Sequence, residues 1–467
     1  MMQSIRKSAR GALALSLTAA GVAGAQAQAT TVAPSIATTK ITTRQLPAAI
    51  ATSVDSIGSV AAVRQLPNGN VLVNDQARRR VIMLDKDMKL VGVVADSTSS
   101  TANAYGVRPG GLMAYRGDST LFVDPASLSM LVIDPSGKII RTMAAPRPND
   151  VNFLTGGAAG NAGFDGQGRL VYRTMDFGFG RGGPRPEPGK PFVPPTPPDS
   201  SALVRFDLAS RKLDTAAFYK IPKANVQMSQ TPEGGMRVSV IMNPLPVVDE
   251  WAVMSDGTVA IVRGHDYHVD FVDASGVKTS MEKIPYDWQR MTDDDKQRFL
   301  DSSKVAIEKQ RAAMPAGGAG PGRGGLADAA SAILGGAVPE RMMITMSRPA
   351  GGDGPPRVEM GGGPGRGGQE GPQPVQMVSA SELPDYKPVF GQNSLKPDMD
   401  GRLWVRTIPT KATTGGAIYD VIDRSGKLVD RVQVPAGTTI AGFGAGGIVY
   451  LGLRDSSGLH VQRIALR

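Results

Sequence analysis

Cysteine is absent from the 467-residue chain, which excludes a disulfide scaffold, a cysteine nucleophile, a zinc–thiolate site and a bacterial lipid anchor. Histidine is scarce: His265, His268 and His460 are all there is, too few for a metal centre built on imidazoles from several repeats. Aromatic residues make up 5% of the sequence, and no run approaches the ~18 consecutive apolar residues of a membrane-spanning helix. Acidic residues are in deficit, 42 against 52 Lys and Arg, for a formal charge of +10. Gly (57) and Pro (35) are abundant, beside a 41% hydrophobic fraction large enough for a sizeable core in one large or two ordinary domains.

Residues 1–29 read as an export signal. Arg6, Lys7 and Arg10 precede the short apolar stretch GALALSLTAAG (11–21), and small-x-small sites run from Ala23 to Ala29. Without a twin arginine the general export route is expected, giving a periplasmic or extracellular protein with no transmembrane span. Much of the remaining positive charge lies in Gly/Pro-rich stretches, where Arg181, Arg323 and Arg366 each precede Gly-Gly. Those tracts lack the interleaved aromatics that stack on bases, so a solvated basic surface is expected and nucleic acid is not.

One pattern recurs six times: a Gly turn, an apolar strand, a polar loop and a second strand. The leading strands are PNGNVLVND (67–75), RGDSTLFVD (116–124), GQGRLVYRT (166–174), SDGTVAIVR (255–263), MDGRLWVRT (399–407) and GAGGIVYLG (444–452). Their first apolar residues, Val71, Leu121, Leu170, Val259, Leu403 and Ile448, are 50, 49, 89, 144 and 45 positions apart. A period of ~40–50 residues with several strands per repeat is that of a β-propeller, and the two long gaps hold insertions. Apolar runs rather than alternations are expected where each sheet is covered on both faces. The fold class is therefore all-β, a six-bladed β-propeller. Its sixth copy stops after a third strand, so KITTRQLPAAI (40–50) is expected to close that blade from the N-terminal side. Asp85, Asp134, Asp207, Asp273 and Asp423 mostly precede Ser/Gly turns such as DPSGK, and are read as turn residues rather than a carboxylate array.

The run NGNVLVNDQARRRVIMLDKDMKLVGVV (68–94) resembles an NHL repeat, with Gly69 in the hairpin, Val71 and Val73 on the strand, and Asp75 at its end. Over residues 40–285 and 384–467 the chain is similar to exported bacterial six-bladed propellers of the NHL/TolB-like group, an architecture that hosts many activities. The resemblance implies strands a to d running from channel to rim, with a–b hairpins on one face and b–c loops and d–a crossovers on the other. Blades one to four are expected in 40–285, an insertion in 286–385, and blades five and six in 386–467. The extra segments 177–200, 221–246 and 286–385 then all emerge on the second, top face, which points to a working surface. Within the longest, 287–313 reads as a helix with Thr292 as N-cap, and 315–375, carrying PGRGG and GGGPGRGGQEGP, is expected to be disordered.

The ends of the b strands place Asn74, Asp124, Arg173, Arg263 and Arg406 near the top face. Converging guanidiniums suit a small anionic ligand, a carboxylate or phosphate held by bidentate hydrogen bonds; pairing of each Arg with a neighbouring Asp is the structural alternative. His265-Asp266-Tyr267-His268, on the b–c loop of blade four, offers metal ligands without a third set by spacing. No cofactor is expected beyond such a divalent metal, and no G-x-S-x-G elbow is present. The leading expectation is an exported, non-catalytic module that binds a small anion or a protein partner at the top face. The alternative is a metal-dependent, lactonase-like hydrolase at the channel mouth, where the resemblance implies that Asn74, Asp124 and Asp266 imitate a cation-binding set. Three nearby arginines would repel that cation.

Overall fold

The structure, a computed structural model, describes residues 41–157, 160–174, 198–223, 225–230, 236–312, 344–347, 357–360, 376–411 and 413–466. The export signal, nearly all of loop 177–200 and most of 315–375 lie outside the described residues. Blade one is Ala62–Gln65, Val71–Asp75, Arg80–Leu84 and Leu90–Ala95; blade two is Gly111–Ala114, Thr120–Asp124, Ser129–Ile133 and Ile139–Ala144. Blade three is Gly163–Phe164, Leu170–Thr174, Ser200–Phe206 and Leu213–Lys220; blade four is Glu250–Val253, Val259–Arg263, His268–Val272 and Lys278–Ser280. Blade five is Leu395–Pro397, Leu403–Thr407, Ile418–Ile422 and Leu428–Gln433, and blade six opens with Thr438–Gly444, Ile448–Asp455 and Gly458–Ala465. The molecule is a six-bladed β-propeller.

Each b strand reads as an uninterrupted apolar run because its two faces fill different seams, successive side chains alternating across the pleat. Val71 and Val73 pack into the seam with blade six, while Leu72 packs with Tyr105 and Phe122 in the seam with blade two. Leu403 and Val405 likewise face blade four, and Trp404 faces Phe443 of blade six. Six apolar clusters fill the six seams in this way.

Polar links join neighbouring blades along the hairpin face. Arg64 Nε donates to Thr120 Oγ1 at 2.8 Å, Arg116 Nη2 to the Gly168 carbonyl at 3.0 Å, and Arg424 pairs with Asp256 at 3.0 Å. The Gly446 N–H donates to Asp400 Oδ1 at 3.2 Å and the Ala445 N–H to Gln65 Oε1 at 3.0 Å. The recurrent Asp residues cap their turns as expected: Asp134 Oδ1 accepts the Ser136 and Lys138 N–H groups, both at 2.9 Å, and Asp273 and Asp423 do the same one turn along.

An N-terminal strand closes the last blade, but from a position just beyond the expected segment. Ala51–Thr52 lies antiparallel to strand c of blade six, flanked by the Ile50 N–H to Arg463 carbonyl bond and the Ile57 N–H to Leu459 carbonyl bond, at 2.8 and 2.7 Å. Within 40–50 itself, Thr43–Gln45 adds a fifth, parallel strand to blade five. His460 belongs to this closure: its Nδ1 lies 2.8 Å from the Ser53 carbonyl and its Nε2 2.9 Å from Ser457 Oγ.

Helix α1 (Asp293–Ala312) forms where the sequence places it, with Thr292 as N-cap: the Asp295 N–H donates to Thr292 Oγ1 at 3.2 Å, and Asp295 Oδ2 accepts the Thr292 N–H at 3.0 Å. Leu300 packs with Leu245, Val378, Leu383 and Ile408, so the helix rests on the top-face segments beside blade five. The stretch expected to be disordered contributes two strands, Ile344–Ser347 and Arg357–Met360, which join Asn225–Gln230 and Met236–Ile241 in a separate four-stranded sheet. Short β-favouring runs, ITMS and RVEM, interrupt the Gly/Pro tracts there.

A chain beginning at Val54 strips strand c of blade six of its pairing with Ile50–Ser53 and leaves only the Ile57 bridge on that edge. Its melting temperature should fall by at least ~5 °C relative to a chain beginning at Thr30, with aggregation on heating. Equal melting of the two chains by circular dichroism would refute closure through Ile50–Ser53.

Candidate functional site

The parity of each strand decides which sequence-selected residues meet. Arg173 pairs with Leu203 and Arg263 with His268, all on faces turned to the seam between blades three and four. Arg406 pairs with Tyr419 on the face turned to blade six. Asn74 is buried between blades one and two, where its Nδ2 donates to the Gly110 carbonyl at 2.8 Å and its Oδ1 accepts the Tyr105 hydroxyl at 3.1 Å. Asp124 accepts the Ala126 and Ser127 N–H groups at 3.1 and 3.2 Å, capping its own b–c turn. The three arginines therefore do not converge, but two of them share a seam.

The b–c hairpins of blades one, two and four have one geometry. Asp75 pairs with Arg80, Asp124 with Ser129 and Arg263 with His268 across four-residue turns. The last turn residue is left-handed in each: Arg79 at φ 49°, Leu128 at 56° and Tyr267 at 46°. Asp75, rather than Asn74, is thus the counterpart of Asp124, and it accepts the Gly58 and Ser59 N–H groups at 3.1 and 2.9 Å. Blade four has Arg263 at this position, and the capping carboxylate comes from the crossover instead. Asp249 accepts Arg263 Nη1 at 2.7 Å, the Gly264 N–H at 3.1 Å and the Lys220 N–H at 2.9 Å. Arg263 also pairs with Asp270 at 2.8 Å, so its guanidinium is taken up in structure.

The next residue, Glu250, opens the inner strand of blade four and is 9% exposed. Its Oε1 accepts the Asn393 N–H at 2.9 Å, and the Ser394 and Leu395 N–H groups also favour its charge. Burial outweighs these donors and the attraction of Arg173, and pushes the carboxyl up to about 7. Arg173 Nη1 donates to the Tyr219 hydroxyl at 3.2 Å, and its guanidinium lies 5.1 Å from the Phe153 ring centre. Burial raises the Tyr219 phenol, with Arg173 opposing. Arg173, Tyr219, Lys220, Glu250 and Gln392 line a shallow cleft, partly open to solvent, whose enclosed part is about 10 Å³, roughly the room one water molecule takes.

The walls are held from three blades. Asn161 Nδ2, leading into blade three, donates to the Leu395 carbonyl of blade five at 2.7 Å, while its own carbonyl accepts the Val253 N–H of blade four at 3.1 Å. Gly160 sits at φ +90°, and a Cβ there would lie 2.4 Å from the Trp251 ring. Only glycine permits that approach.

His265 is exposed, and His268 lies between Asp266 at 2.7 Å and Asp270 at 3.3 Å. Asp266 is also 3.5 Å from Lys283, and Asp270 is shared with Arg263 and Lys278, so these groups already neutralise one another and do not fit a divalent cation. Among the described residues, no group of three His, Cys, Asp or Glu side chains is arranged to hold a metal. Asp249 and Glu250 escaped the repeat pattern because crossovers do not repeat. Two acids directly ahead of an inner strand, in DEWAV, were their available signal.

No family model matches the chain, and no curated protein matches it. Solved structures similar to it include a Bacteroides fragilis protein described as exported, 9% identical over 91% of this chain and 94% of that one, with a TM-score of 0.39. A gluconolactonase from Xanthomonas campestris is 11% identical over 90% and 99%, TM-score 0.33, and a streptogramin B lyase is 10% identical over 88% and 95%, TM-score 0.33. At such identity and overlap they bear on neither activity nor ligand.

Among the described residues no helix is long and apolar enough to cross a membrane.

Because Glu250 holds its proton in the folded chain up to about pH 7, against an ordinary value of 4.5, the folded state binds more protons than the unfolded state between those values. Stability should fall as pH rises through this window, by about 3 kcal/mol, and change no further from this group above it. Glu250→Gln should remove that slope, visible as ~3 °C less loss of melting temperature between pH 5 and 8. An unchanged slope would show that Glu250 does not titrate there.

Proposed function

We propose that the chain is an exported binding module of the NHL/TolB-like kind, and that its ligand is a small carboxylate-bearing molecule held in the top-face cleft between blades three and four. The observation that carries this reading is the placement of Arg173 beside Glu250 at the cleft wall. A guanidinium attracts a carboxylate and can hold it bidentately, and Tyr219 offers a hydroxyl next to it. The cleft's shallowness suits one anionic end of a ligand whose remainder lies along the top face. Glu250 then tunes the site: ionised, it opposes an incoming anion; protonated, it does not.

A hydrolase is the second reading, favoured by one feature: a carboxyl that titrates near 7 is suited to general acid–base work at neutral pH. Lactone turnover by the purified exported chain, abolished in Glu250→Gln, would establish it over simple binding.

The binding reading is tested by titrating the exported chain with acetate, succinate and citrate at pH 6 and pH 8, at fixed ionic strength. Affinity should be about tenfold weaker at pH 8, where Glu250 is ionised. Arg173→Ala should abolish binding, and Glu250→Gln should keep it while removing the pH dependence. Equal affinity for the same carboxylates in Arg173→Ala would overturn the proposed site.

A further inference from the structure

The inner edge of blade five carries a pair of polar side chains that the cleft between blades three and four does not use. The Arg406 N–H donates to the Ser394 carbonyl at 2.8 Å, and Leu395 pairs with Val405, so Ser394 stands directly opposite Arg406 on the sheet. Side chains opposite one another in an antiparallel pair share a face, with Cβ atoms about 5 Å apart. That face is the one bearing Trp404 and Tyr419, turned to the seam with blade six.

Ser394 is 2% exposed, yet its Oγ has no hydrogen-bond partner. Arg406 Nη2 is buried and likewise without one, so the two do not bond each other. Ion pairs of blade five join Arg402 to Asp398 and Asp400, Arg424 to Asp256, Arg431 to Asp420 and Arg44 to Asp430. Arg406 is in none of them. A buried guanidinium nitrogen without hydrogen bond or counter-charge is costly, and arginine can only donate. The missing group must therefore accept hydrogen bonds, and negative charge would compensate the cation as neutral water does not.

We infer that Ser394 and Arg406 form an anion site in the seam between blades five and six, taking a small monoanion through the serine hydroxyl and the guanidinium. The site is independent of the Arg173–Glu250 cleft: Ser394 contributes its backbone N–H to Glu250 and its side chain to the opposite face of blade five.

The test uses the full exported chain with sodium bromide and sodium acetate as probes, ionic strength being held with a large sulfonate. Crystals soaked in bromide should show an anomalous peak between Ser394 Oγ and Arg406 Nη2; a peak absent from that position overturns the proposal. In solution, either probe at tenfold its dissociation constant should raise the melting temperature by about 1–2 °C. That rise should fall by more than half in Ser394→Ala, which keeps the fold even where Arg406→Met does not. A response to bromide but not acetate identifies a halide site, and the reverse a carboxylate site. A rise lost in Arg173→Ala but intact in Ser394→Ala and Arg406→Met overturns this site and leaves the cleft reading standing.

Discussion

The middle strands of every blade serve two seams, and the rest of the structure depends on that double packing. A blade between two neighbours has no solvent face along its middle strands, so each residue on those strands belongs to the seam on one side or the other by its parity alone. Closing the ring requires that all six seams be filled, including the one between first and last blades, where Val71 and Val73 meet Ile448 and Tyr450. Apolar runs such as VLV and LWV satisfy this demand locally. Parity also assigns the polar residues at the strand ends, where apolar filling stops. It sends Arg173 and Arg263 into one seam and Arg406 into another, although all three end equivalent strands.

This is why the fold was legible in the sequence and the site only partly so. Six Gly-hairpin strands at near-constant spacing are a global signal, carried by every blade, and the turn-capping Asp residues repeat with them. The closing strand was legible as a necessity but not in register. The parallel pairing with blade five ends at the Leu46 N–H to Gln433 carbonyl bond, because the next donor position on blade five is Pro435, which has no N–H, and the chain steps across to blade six from Ile50. A comparable slip separates Asn74 from Asp75. One residue along a strand exchanges one seam for the next, so counting from the first apolar position aligned Asn74, a buried tyrosine partner, with Asp124, which caps its turn.

The crossover residues were beyond pattern reading for a different reason. Blades one and two cap their b–c turns with a carboxylate from the strand itself, Asp75 accepting the Arg78 N–H and Asp124 those of Ala126 and Ser127, whereas blade four has Arg263 there and takes its carboxylate from Asp249. The charge has moved from strand to crossover, and the turn N–H it accepts has moved from the middle of the turn to its first residue, Gly264. Only the folded chain shows that both acids serve a b–c turn, because they have no common position in the repeat.

Asp249 and Glu250 adjoin in sequence yet meet opposite environments, and the difference locates the working end of the molecule. Asp249 receives a guanidinium and two backbone N–H groups, and its role is consumed in joining blade three to blade four. Glu250 receives backbone N–H groups from blade five, while Arg173, which attracts its charge, also engages Tyr219. Burial, outweighing those donors and Arg173, is what lifts its carboxyl toward neutrality. A carboxyl in that state changes charge under conditions in which the other acids of the seam do not need to, and it does so beside a cleft. The inner strands of blades three, four and five are locked around it by Asn161 and by the close approach of Gly160 to Trp251. With the walls fixed, the way left for the site to respond to pH is the proton on Glu250, which acts on Arg173 by charge rather than by movement.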